Sequence, residues 1–371
     1  MTGKKLQVPK QKTGMQNFKH PCEIIAPELV APLRNVAAEA EQLKQLHPSQ
    51  LLTIHEEKWF RLFVPETYNG MALSLPDALQ TEEALAWIDG AVGWTVTLCA
   101  GAGWFVGFLD PATAQHIFSD PKACIAGSGK TTGVAKIIND GFEITGQWDY
   151  ATGANHATVF TGNCMVEENN VQLKNTDGSP VIIPFAFLKT EVIVHENWKR
   201  IGMIATGSNS FEVQSLKVAA NRAFHIDQKH AVLKQPVYQY PFLQFAETTL
   251  AVNSSGMAMR FLDLCKILFE QNATDAMGST LKESIQKIET ARREFYKAVN
   301  DSWIQCSADL TIADALLQNI SSTSKHLAIT ARKIVDELYP YCGMQAANPD
   351  TEINRVWRNL HTASQHSLFN R

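Results

Sequence analysis

Charged side chains are scarce in this chain of 371 residues. Asp, Glu, Lys and Arg make up 19% of the sequence, whereas about 25% is typical of soluble globular domains. A deficit of this kind has three ordinary explanations: a membrane-spanning segment, a large subunit interface, or a large core. The hydrophobic fraction of 45% excludes an intrinsically disordered chain, and the length suggests two or three domains at about 150 residues each.

An excess of basic residues is also absent. The chain has 33 Lys and Arg against 37 Asp and Glu, which gives a net charge of -4. Proteins that bind nucleic acids normally carry a basic excess, because they neutralise phosphates. We therefore expect no nucleic-acid partner.

Paired cysteines are missing. The seven cysteines are odd in number, and no two form a C-x-x-C pair, which argues against a disulfide framework and against a zinc site. His225 and His230 are five residues apart in a predicted loop, which is poor spacing for a metal. The pattern predicts a reduced, cytoplasmic protein without a metal.

A recognisable targeting segment is missing as well. The first 20 residues contain five lysines and no acidic residue, but they lack the apolar core of a signal peptide and the arginines of a transit peptide. We therefore predict that residues 1–21 form a flexible tail.

One stretch, residues 90–109, has no charge over 20 residues, which is long enough to cross a bilayer. However, it contains five glycines and has no Lys or Arg immediately beside it, contrary to what membrane spans usually show. We predict a buried helix whose small residues let a neighbouring element approach closely, and we expect no membrane partner.

The chain has three sections with different periodicity. Residues 22–121 show helical spacing of apolar residues. Residues 122–228 contain short β-branched segments separated by turn signals, which is typical of a sandwich or barrel. Residues 229–371 are again helical. The predicted fold is α+β, mainly α, with an N-terminal helical domain, a middle β-barrel or sandwich domain, and a C-terminal four-helix bundle.

The bundle is predicted from four apolar stripes that are joined by short connections. They lie at residues 250–268, 281–299, 310–320 and 327–338. Long amphipathic segments with short connections are typical of antiparallel helix bundles.

The common catalytic fingerprints are absent. The sequence has no G-x-S-x-G, no H-E-x-x-H, and no G-x-G-x-x-G that opens a helix. The segment GSGKTT at 127–132 resembles a phosphate-binding loop. However, Cys124 stands where that loop requires glycine, and the residues that follow predict strands instead of a helix.

Three longer segments resemble the acyl-CoA dehydrogenase superfamily. They are VPETYNGMALSLPDALQTEEALAWIDGAVGW at 64–94, GFEITGQWDYATGANHATVF at 141–160, and WKRIGMIATGSNSFEVQSLKV at 198–218. In that order they look like the family's N-terminal helical domain, the strand that lies against the flavin, and the strand pair that closes the middle domain. The resemblance covers about residues 22–368 and implies a flavin cofactor, FMN or FAD.

The segment RVWRNLHTASQH at 355–366 indicates a branch of that superfamily. It resembles the pattern R-x-W-R-D-x-H-x-x-x-x-H of two-component flavin-dependent monooxygenases, with Asn359 in place of Asp. The true dehydrogenases end in Y-E-G-T, whose Glu is often the base, and that Glu is absent here. The resemblance implies an enzyme that uses reduced flavin and O2 to hydroxylate an aromatic or similar small organic substrate. An FAD-dependent acyl-CoA dehydrogenase is the alternative.

The resemblance also implies which residues contact the flavin. Trp148 is the expected aromatic wall, and Thr152 is the expected hydroxyl near flavin N5. Gly153 would let the backbone approach the flavin closely, and Ser128 is a second candidate hydroxyl. The alternative interpretation is that these are ordinary strand and turn residues.

A monooxygenase that hydroxylates phenols needs a base, and histidine suits this role because its pKa of about 6.5 lies near working pH. His366 is the predicted base, with His361 as a second candidate. On a continuous helix Arg358, Thr362 and His366 would share one face, so Arg358 is predicted to bind substrate. His361 would face the other side, with Trp357.

The resemblance implies two kinds of partner. No nicotinamide fingerprint is present, so a separate flavin reductase is expected to supply reduced flavin. The superfamily usually assembles through its C-terminal bundle, so we expect a homo-oligomer, either a tetramer or a dimer. Only five residues follow His366, fewer than in related chains, so a non-catalytic flavin- or ligand-binding homologue is a further alternative.

Overall fold

The computed structural model describes residues 18–270, 274–309 and 311–369. The tail predicted for residues 1–21 lies mostly outside them and stays a prediction. Its last residues lie against the helical body: the Phe18 ring stacks on Tyr296 with centroids 4.9 Å apart, and the carbonyl of Lys19 accepts a hydrogen bond from Arg292.

Six helices form the first section of the chain. They are α1 (Pro27–Asn35), α2 (Ala37–Leu43), α3 (Pro48–Glu56), α4 (Leu75–Ile88), α5 (Gly90–Gly103) and α6 (Pro111–Phe118). Helix α4 begins where the sequence places a capping residue, because the Ser74 hydroxyl accepts the N–H of Asp77. The Asp89 carboxylate caps α5 in the same way, through the N–H of Val92. Only Asp89, whose backbone is extended, separates α4 from α5.

Helix α5 covers residues 90–103 of the uncharged stretch noted in the sequence. By length and composition alone, residues 90–107 pass as a membrane span, but 83% of that window is buried inside the protein. A Cβ on Gly93 would lie 2.4 Å from the Cα of Ala86 on α4, and one on Gly90 would lie 2.7 Å from the sulfur of Met257. The prediction of a buried helix with closely approaching neighbours is therefore confirmed.

Seven strands form the middle section. They are β1 (Ile125–Ile138), β2 (Gly141–Ala151), β3 (Val159–Glu168), β4 (Val171–Gln172), β5 (Ile182–Leu188), β6 (Ile193–His195) and β7 (Asn209–Ala219). Their order in the sheet is β4-β3-β1-β2-β7-β6, and β5 also pairs with β3. The β1–β3 pair is parallel, and the other pairs are antiparallel. The strands enclose their own core of buried aromatic and small side chains.

The third section contains α7 (Pro236–Gln239), α8 (Phe242–Phe269), α9 (Asp275–Ser307), α10 (Asp314–Leu338), α11 (Gly343–Ala347) and α12 (Glu352–Ala363). The stripes at 310–320 and 327–338 were predicted to be separate helices, but both belong to α10, apart from residues 310–313. Residue 310 itself lies outside the described residues. No proline or glycine interrupts α10, so nothing in its sequence stops the helix between the two stripes.

Helix α8 is the central element of this section, and it packs on α4 and α5 as well as on α9, α10 and α12. A Cβ on Gly256 would lie 2.2 Å from the carbonyl oxygen of Glu83 on α4, so this glycine sets the close crossing of α8 and α4. Helix α12 is fixed to α8 by Glu352, whose two carboxylate oxygens accept hydrogen bonds from Arg260 at 2.7 and 2.8 Å.

Candidate active site

Trp148 lies inside the β section instead of at a cleft. Its side chain is 0% exposed, and its ring stacks on Phe211 with centroids 5.0 Å apart. Three glycines on β1, β2 and β3 make room for the ring, because a Cβ on Gly133, Gly146 or Gly162 would lie 2.3 to 2.8 Å from one of its atoms. The structure therefore does not bring Trp148 to the surface where a flavin could lie, and its surroundings are those of a core residue.

Tyr150 occupies the exposed position instead. Between Trp148 and Ala151 the pairing of β2 with β7 shifts, so that two residues of β2 stand opposite one of β7. Tyr150 has a φ of 68°, and its side chain is 49% exposed. A β-bulge of this kind turns a side chain away from the alternation of the strand. Period-two alternation would have placed residues 148 and 150 on the same face, which explains why the sequence did not single out Tyr150.

Ser128 lies on β1 beside a second irregularity, where the pairing of β1 with β3 shifts between Ser128 and Thr131. Its hydroxyl accepts the N–H of Lys130 at 3.3 Å. The Lys130 ammonium then reaches β2: it donates to Asp149 at 2.8 Å, and it lies 4.6 Å from the centre of the Tyr150 ring. The hydrogen bond from Lys130 lowers the pKa of Asp149. The two irregular strand segments are thus side by side, with an ion pair between them.

Thr152 and Gly153 follow directly after β2. Gly153 has a φ of 77°, a region that favours glycine, and its N–H donates to the carbonyl of Thr206 at 2.9 Å. The Thr152 hydroxyl is buried and lies 2.8 Å from the hydroxyl of Ser208, which in turn lies 2.8 Å from the hydroxyl of Thr206. The turn after β2 is therefore held by the loop that precedes β7.

Helix α5 connects this turn to the C-terminal end of the chain through two adjacent residues. Thr95 faces the turn, since its Cγ2 lies 3.5 Å from the position that a Cβ on Gly153 would take. Trp94 contacts His366, with an edge-to-face ring geometry and 6.0 Å between centroids. The turn that carries Thr152 and the loop that carries His366 therefore lie against adjacent residues of α5.

His366 does not belong to α12. The helix ends at Ala363, and His366 lies in the turn that follows, where its Nδ1 accepts the N–H of Leu368 at 3.3 Å. The expectation that Arg358, Thr362 and His366 share one helical face is wrong for His366, because the helix stops before it.

His361 faces the helical bundle. Its ring stacks on Trp357 with centroids 4.1 Å apart, one ring nitrogen lies 2.8 Å from the carbonyl of Trp357, and the other lies 2.8 Å from Asp336 on α10. As the spacing of residues predicts, His361 lies on the other side of α12 from Arg358. The structure does not bring it together with His366.

Arg358 is fully engaged by the protein. Its guanidinium donates to both carboxylate oxygens of Glu41 on α2, at 3.1 and 2.8 Å, and also to the carbonyl of Ile201 and the side chain of Asn354. These bonds connect α12 to α2 and to the loop before β7. Arg358 is therefore placed as a structural connection, and a role in substrate binding stays a prediction.

A cavity of about 820 Å³ lies elsewhere, between residues 226–242 and the corner between α9 and α10. Trp104 and Phe108 contribute to its wall, and none of the predicted site residues does. The predicted residues Thr152, Gly153 and His366 lie beside α5 instead.

Comparison with known proteins identifies the class of fold. Residues 245–371 match the family model described as acyl-CoA dehydrogenase, C-terminal domain. The chain has the acyl-CoA dehydrogenase fold along its length: it superposes on the crystal structure of the HsaA monooxygenase from Mycobacterium tuberculosis with a TM-score of 0.85 and 21% identity, covering 94% of this chain and 92% of that one.

Within that class, the chain resembles the monooxygenase branch. The oxygenase subunit HsaA of a flavin-dependent monooxygenase from M. tuberculosis is 22% identical over 365 residues, which cover 91% of this chain and 89% of HsaA. XiaF from a Streptomyces species, whose structure contains FADH2 and glycerol, superposes with a TM-score of 0.84 and 18% identity, covering 94% of this chain and 92% of XiaF. The predictions of a flavin cofactor and of a flavin-dependent oxidoreductase, with a monooxygenase favoured over a dehydrogenase, are confirmed.

Proposed function

We propose that this chain is the oxygenase component of a two-component monooxygenase. It takes reduced flavin, FMN or FAD, from a separate reductase in the cytoplasm and uses O2 to hydroxylate an aromatic or similar small organic substrate. The observation that carries the proposal is the pair Trp94 and Thr95 on α5, whose side chains lie against His366 and against the Thr152–Gly153 turn.

The residues at this surface fit a flavin. The Thr95 hydroxyl is buried and has no hydrogen-bond partner among the described residues, which is unusual for a buried polar group and suits a polar ligand atom. The exposed Tyr150 ring offers an aromatic face. Lys130 and Arg200, both within 6 Å of that ring centre, supply positive charge for a flavin phosphate. In this arrangement Thr152 and Ser128 contribute hydroxyls.

The substrate side of the surface is apolar. Along α5, which is otherwise buried, the half-buried residues Leu98 and Gly101 fall on the same helical face as Trp94. A Cβ on Gly101 would meet only a ring carbon of Phe245, at 3.9 Å. This face therefore leaves space for a flat, largely apolar substrate next to His366. His366 accepts the proton of the substrate hydroxyl.

The chemistry divides between cofactor and protein. When bound, reduced flavin supplies the electrons that activate O2. The protein binds and orients both reactants and excludes water from them. His366 holds or accepts the proton of the substrate hydroxyl, for which an imidazole is suited near neutral pH. We also propose that the chain forms a homo-oligomer through its C-terminal helices.

The test is to mix the purified protein anaerobically with reduced FMN or FAD and then to add O2. We expect tight binding of at least one reduced flavin and a release of H2O2 that is slower than from free reduced flavin, because the bound flavin is shielded from water. The Thr113 hydroxyl donates to the carbonyl of Asn221, outside the candidate site, so Thr113→Val should bind flavin and slow the release of H2O2 as the wild type does.

Other outcomes assign the protein to a different function. A protein that is isolated with tightly bound FAD, and that is bleached by an acyl-CoA, is a dehydrogenase. A protein that binds neither reduced nor oxidised flavin contradicts the proposed function altogether.

A further inference from the structure

Three buried hydroxyl groups and one carbonyl oxygen form a continuous chain behind the candidate flavin surface. The oxygen of Thr152 lies 2.8 Å from that of Ser208, Ser208 lies 2.8 Å from Thr206, and Thr206 lies 2.8 Å from the carbonyl oxygen of Met203. The three side chains are 1% to 5% exposed. Each contact is short enough to contain a hydrogen bond.

The direction of these hydrogen bonds follows from counting protons. Each hydroxyl has one proton to donate, and the Met203 carbonyl has none, so three protons are available for three oxygen–oxygen contacts. Thr206 must donate to Met203, because otherwise two lone pairs would face each other at 2.8 Å. Ser208 must then donate to Thr206, and Thr152 must donate to Ser208.

The backbone keeps the chain in place. The Met203 carbonyl is held from the other side by the indole N–H of Trp198 at 2.8 Å, and the carbonyl of Thr206 accepts the N–H of Gly153. The loop that carries Thr206 and Ser208 is therefore tied to the turn that carries Thr152.

The consequence is that Thr152 has only lone pairs left for a ligand. Flavin changes its hydrogen-bonding character at N5 with its redox state: reduced flavin has an N–H at N5, whereas oxidised flavin has a lone pair there. A hydrogen-bond acceptor at Thr152 binds the N–H of reduced flavin and repels the lone pair of oxidised flavin.

We propose that Ser208 and Thr206 are positioning residues that hold the Thr152 hydroxyl as a hydrogen-bond acceptor and thereby make the site select reduced over oxidised flavin. The proposal rests on the proposed function, in which Thr152 faces the flavin. Neither Ser208 nor Thr206 needs to touch the flavin for this effect. It gives the oxygenase a means to take up the reduced product of a reductase and to release the oxidised product.

The test measures dissociation constants of oxidised and of reduced FMN and FAD under anaerobic conditions, by quenching of protein fluorescence. For the wild type we expect reduced flavin to bind at least about tenfold more tightly, the effect of one hydrogen bond gained instead of lost. The same preference raises the midpoint potential of the bound flavin above that of free flavin, by about 30 mV for each factor of ten in a two-electron couple.

Two variants change the direction of the chain without removing Thr152. In Thr206→Val, Ser208 has only Thr152 left as an acceptor, so the Thr152 proton turns toward the flavin. In Ser208→Ala, the Thr152 proton loses its acceptor and is equally free. We expect the preference for reduced flavin to fall by about tenfold in both, while Thr206→Ser, which keeps the hydroxyl, retains it.

The outcomes separate this inference from the proposed function. Equal binding of both redox states by the wild type, or an unchanged preference in a folded Ser208→Ala or Thr206→Val, overturns the inference while leaving a flavin enzyme. A wild type that binds neither redox state overturns the proposed function. Thermal unfolding checks that each variant is folded, and Thr113→Val controls for the loss of a buried hydroxyl elsewhere.

Discussion

Glu82 and Glu83 are adjacent on α4 and both are buried, but their carboxyl groups have opposite surroundings. Arg292 donates to both oxygens of Glu83, at 2.7 and 2.9 Å, and the hydroxyl of Tyr296 donates at 2.8 Å. Neither oxygen of Glu82 has a hydrogen-bond partner in the part of the chain that the structure describes. Burial raises the pKa of Glu82 well above its usual range. Burial acts on Glu83 in the same direction, but the charge and hydrogen bonds of Arg292 outweigh it and lower the pKa.

Glu82→Gln is expected to stabilise the protein more at high pH than at low pH. The folded protein keeps the Glu82 proton above the usual pKa of 4.5, whereas the unfolded chain releases it. The wild type therefore loses stability as pH rises from that value toward the raised pKa. Glutamine has no proton to release. Urea unfolding at pH 5 and pH 8 should show an advantage of the variant that grows with pH, and a constant difference would mean that Glu82 is ionised in the folded state.

Glu83→Gln, in contrast, is expected to destabilise the protein. It leaves the buried charge of Arg292 without its partner, and breaking a buried ion pair typically costs about 3–5 kcal/mol in the free energy of unfolding. Urea unfolding at pH 7 measures this loss of stability. Glu283→Gln is the matched control, because Glu283 is an exposed glutamate on α9. A loss no larger than that of the control would show that the Arg292 pair contributes nothing to stability.

Substitutions at Trp148 and Tyr150 are expected to affect two different properties, the stability of the protein and its affinity for flavin. Trp148→Ala leaves a cavity among three glycines, so we expect a loss of about 3–5 kcal/mol. Tyr150→Ala removes an exposed ring, so we expect stability to change by less than about 0.5 kcal/mol while flavin binds more weakly. Thermal unfolding and flavin titration measure the two effects. A folded Tyr150→Ala with wild-type flavin affinity would mean that the bulge presents its ring to something other than flavin.

Arg358 and Glu41 should behave as one structural unit. Each single change to alanine removes a two-point ion pair, and we expect each to cost about 2 kcal/mol in the free energy of unfolding. The double variant should cost less than the sum of the two, because the second change has no pair left to break. Arg293→Ala, an exposed arginine on α9, is the control. If Arg358 instead binds substrate, Glu41→Ala would keep full substrate turnover while Arg358→Ala would lose it.

Substitutions at the two histidines near the C-terminus are also expected to affect different properties, oxygenation for His366 and stability for His361. His366→Ala is expected to impair substrate oxygenation more than flavin binding, since His366 faces Trp94 at the candidate site. His361→Ala should lower the unfolding temperature and leave flavin affinity unchanged, because it removes the contacts to Trp357 and Asp336. An equal loss of oxygenation and flavin binding in His366→Ala would refute its role as a base and imply a structural one.

The order of helical and β sections follows from the sequence because periodicity and turn residues are local signals. The burial of α5 is a further example, since an uncharged helix rich in glycine and alanine has few other stable environments. Residues that are recognised by motif, such as Thr152 and His366, also lie near adjacent residues of α5.

The remaining features of the candidate site depend on strand pairing, helix ends and long-range contacts, which the periodicity of the sequence does not describe. Tyr150 leaves the core only because a bulge interrupts the alternation of β2, and a bulge requires knowledge of the pairing with β7. His366 leaves the helix because α12 ends three residues earlier, and helix ends are set by tertiary contacts as much as by sequence. From the sequence alone Arg358 could bind substrate, because nothing in the sequence shows that its guanidinium pairs with Glu41. The two residues are 317 positions apart.

The glycines around Trp148 restrict how this chain can evolve. A side chain at Gly133, Gly146 or Gly162 would collide with the indole, and a smaller residue at 148 would leave a void, so every single step away from the present combination lowers stability. Changes at these four positions are therefore strongly non-additive, and the path to another packing of this sheet requires several simultaneous substitutions. Homologues should accordingly keep or exchange the tryptophan and its three glycines together, as one inherited unit.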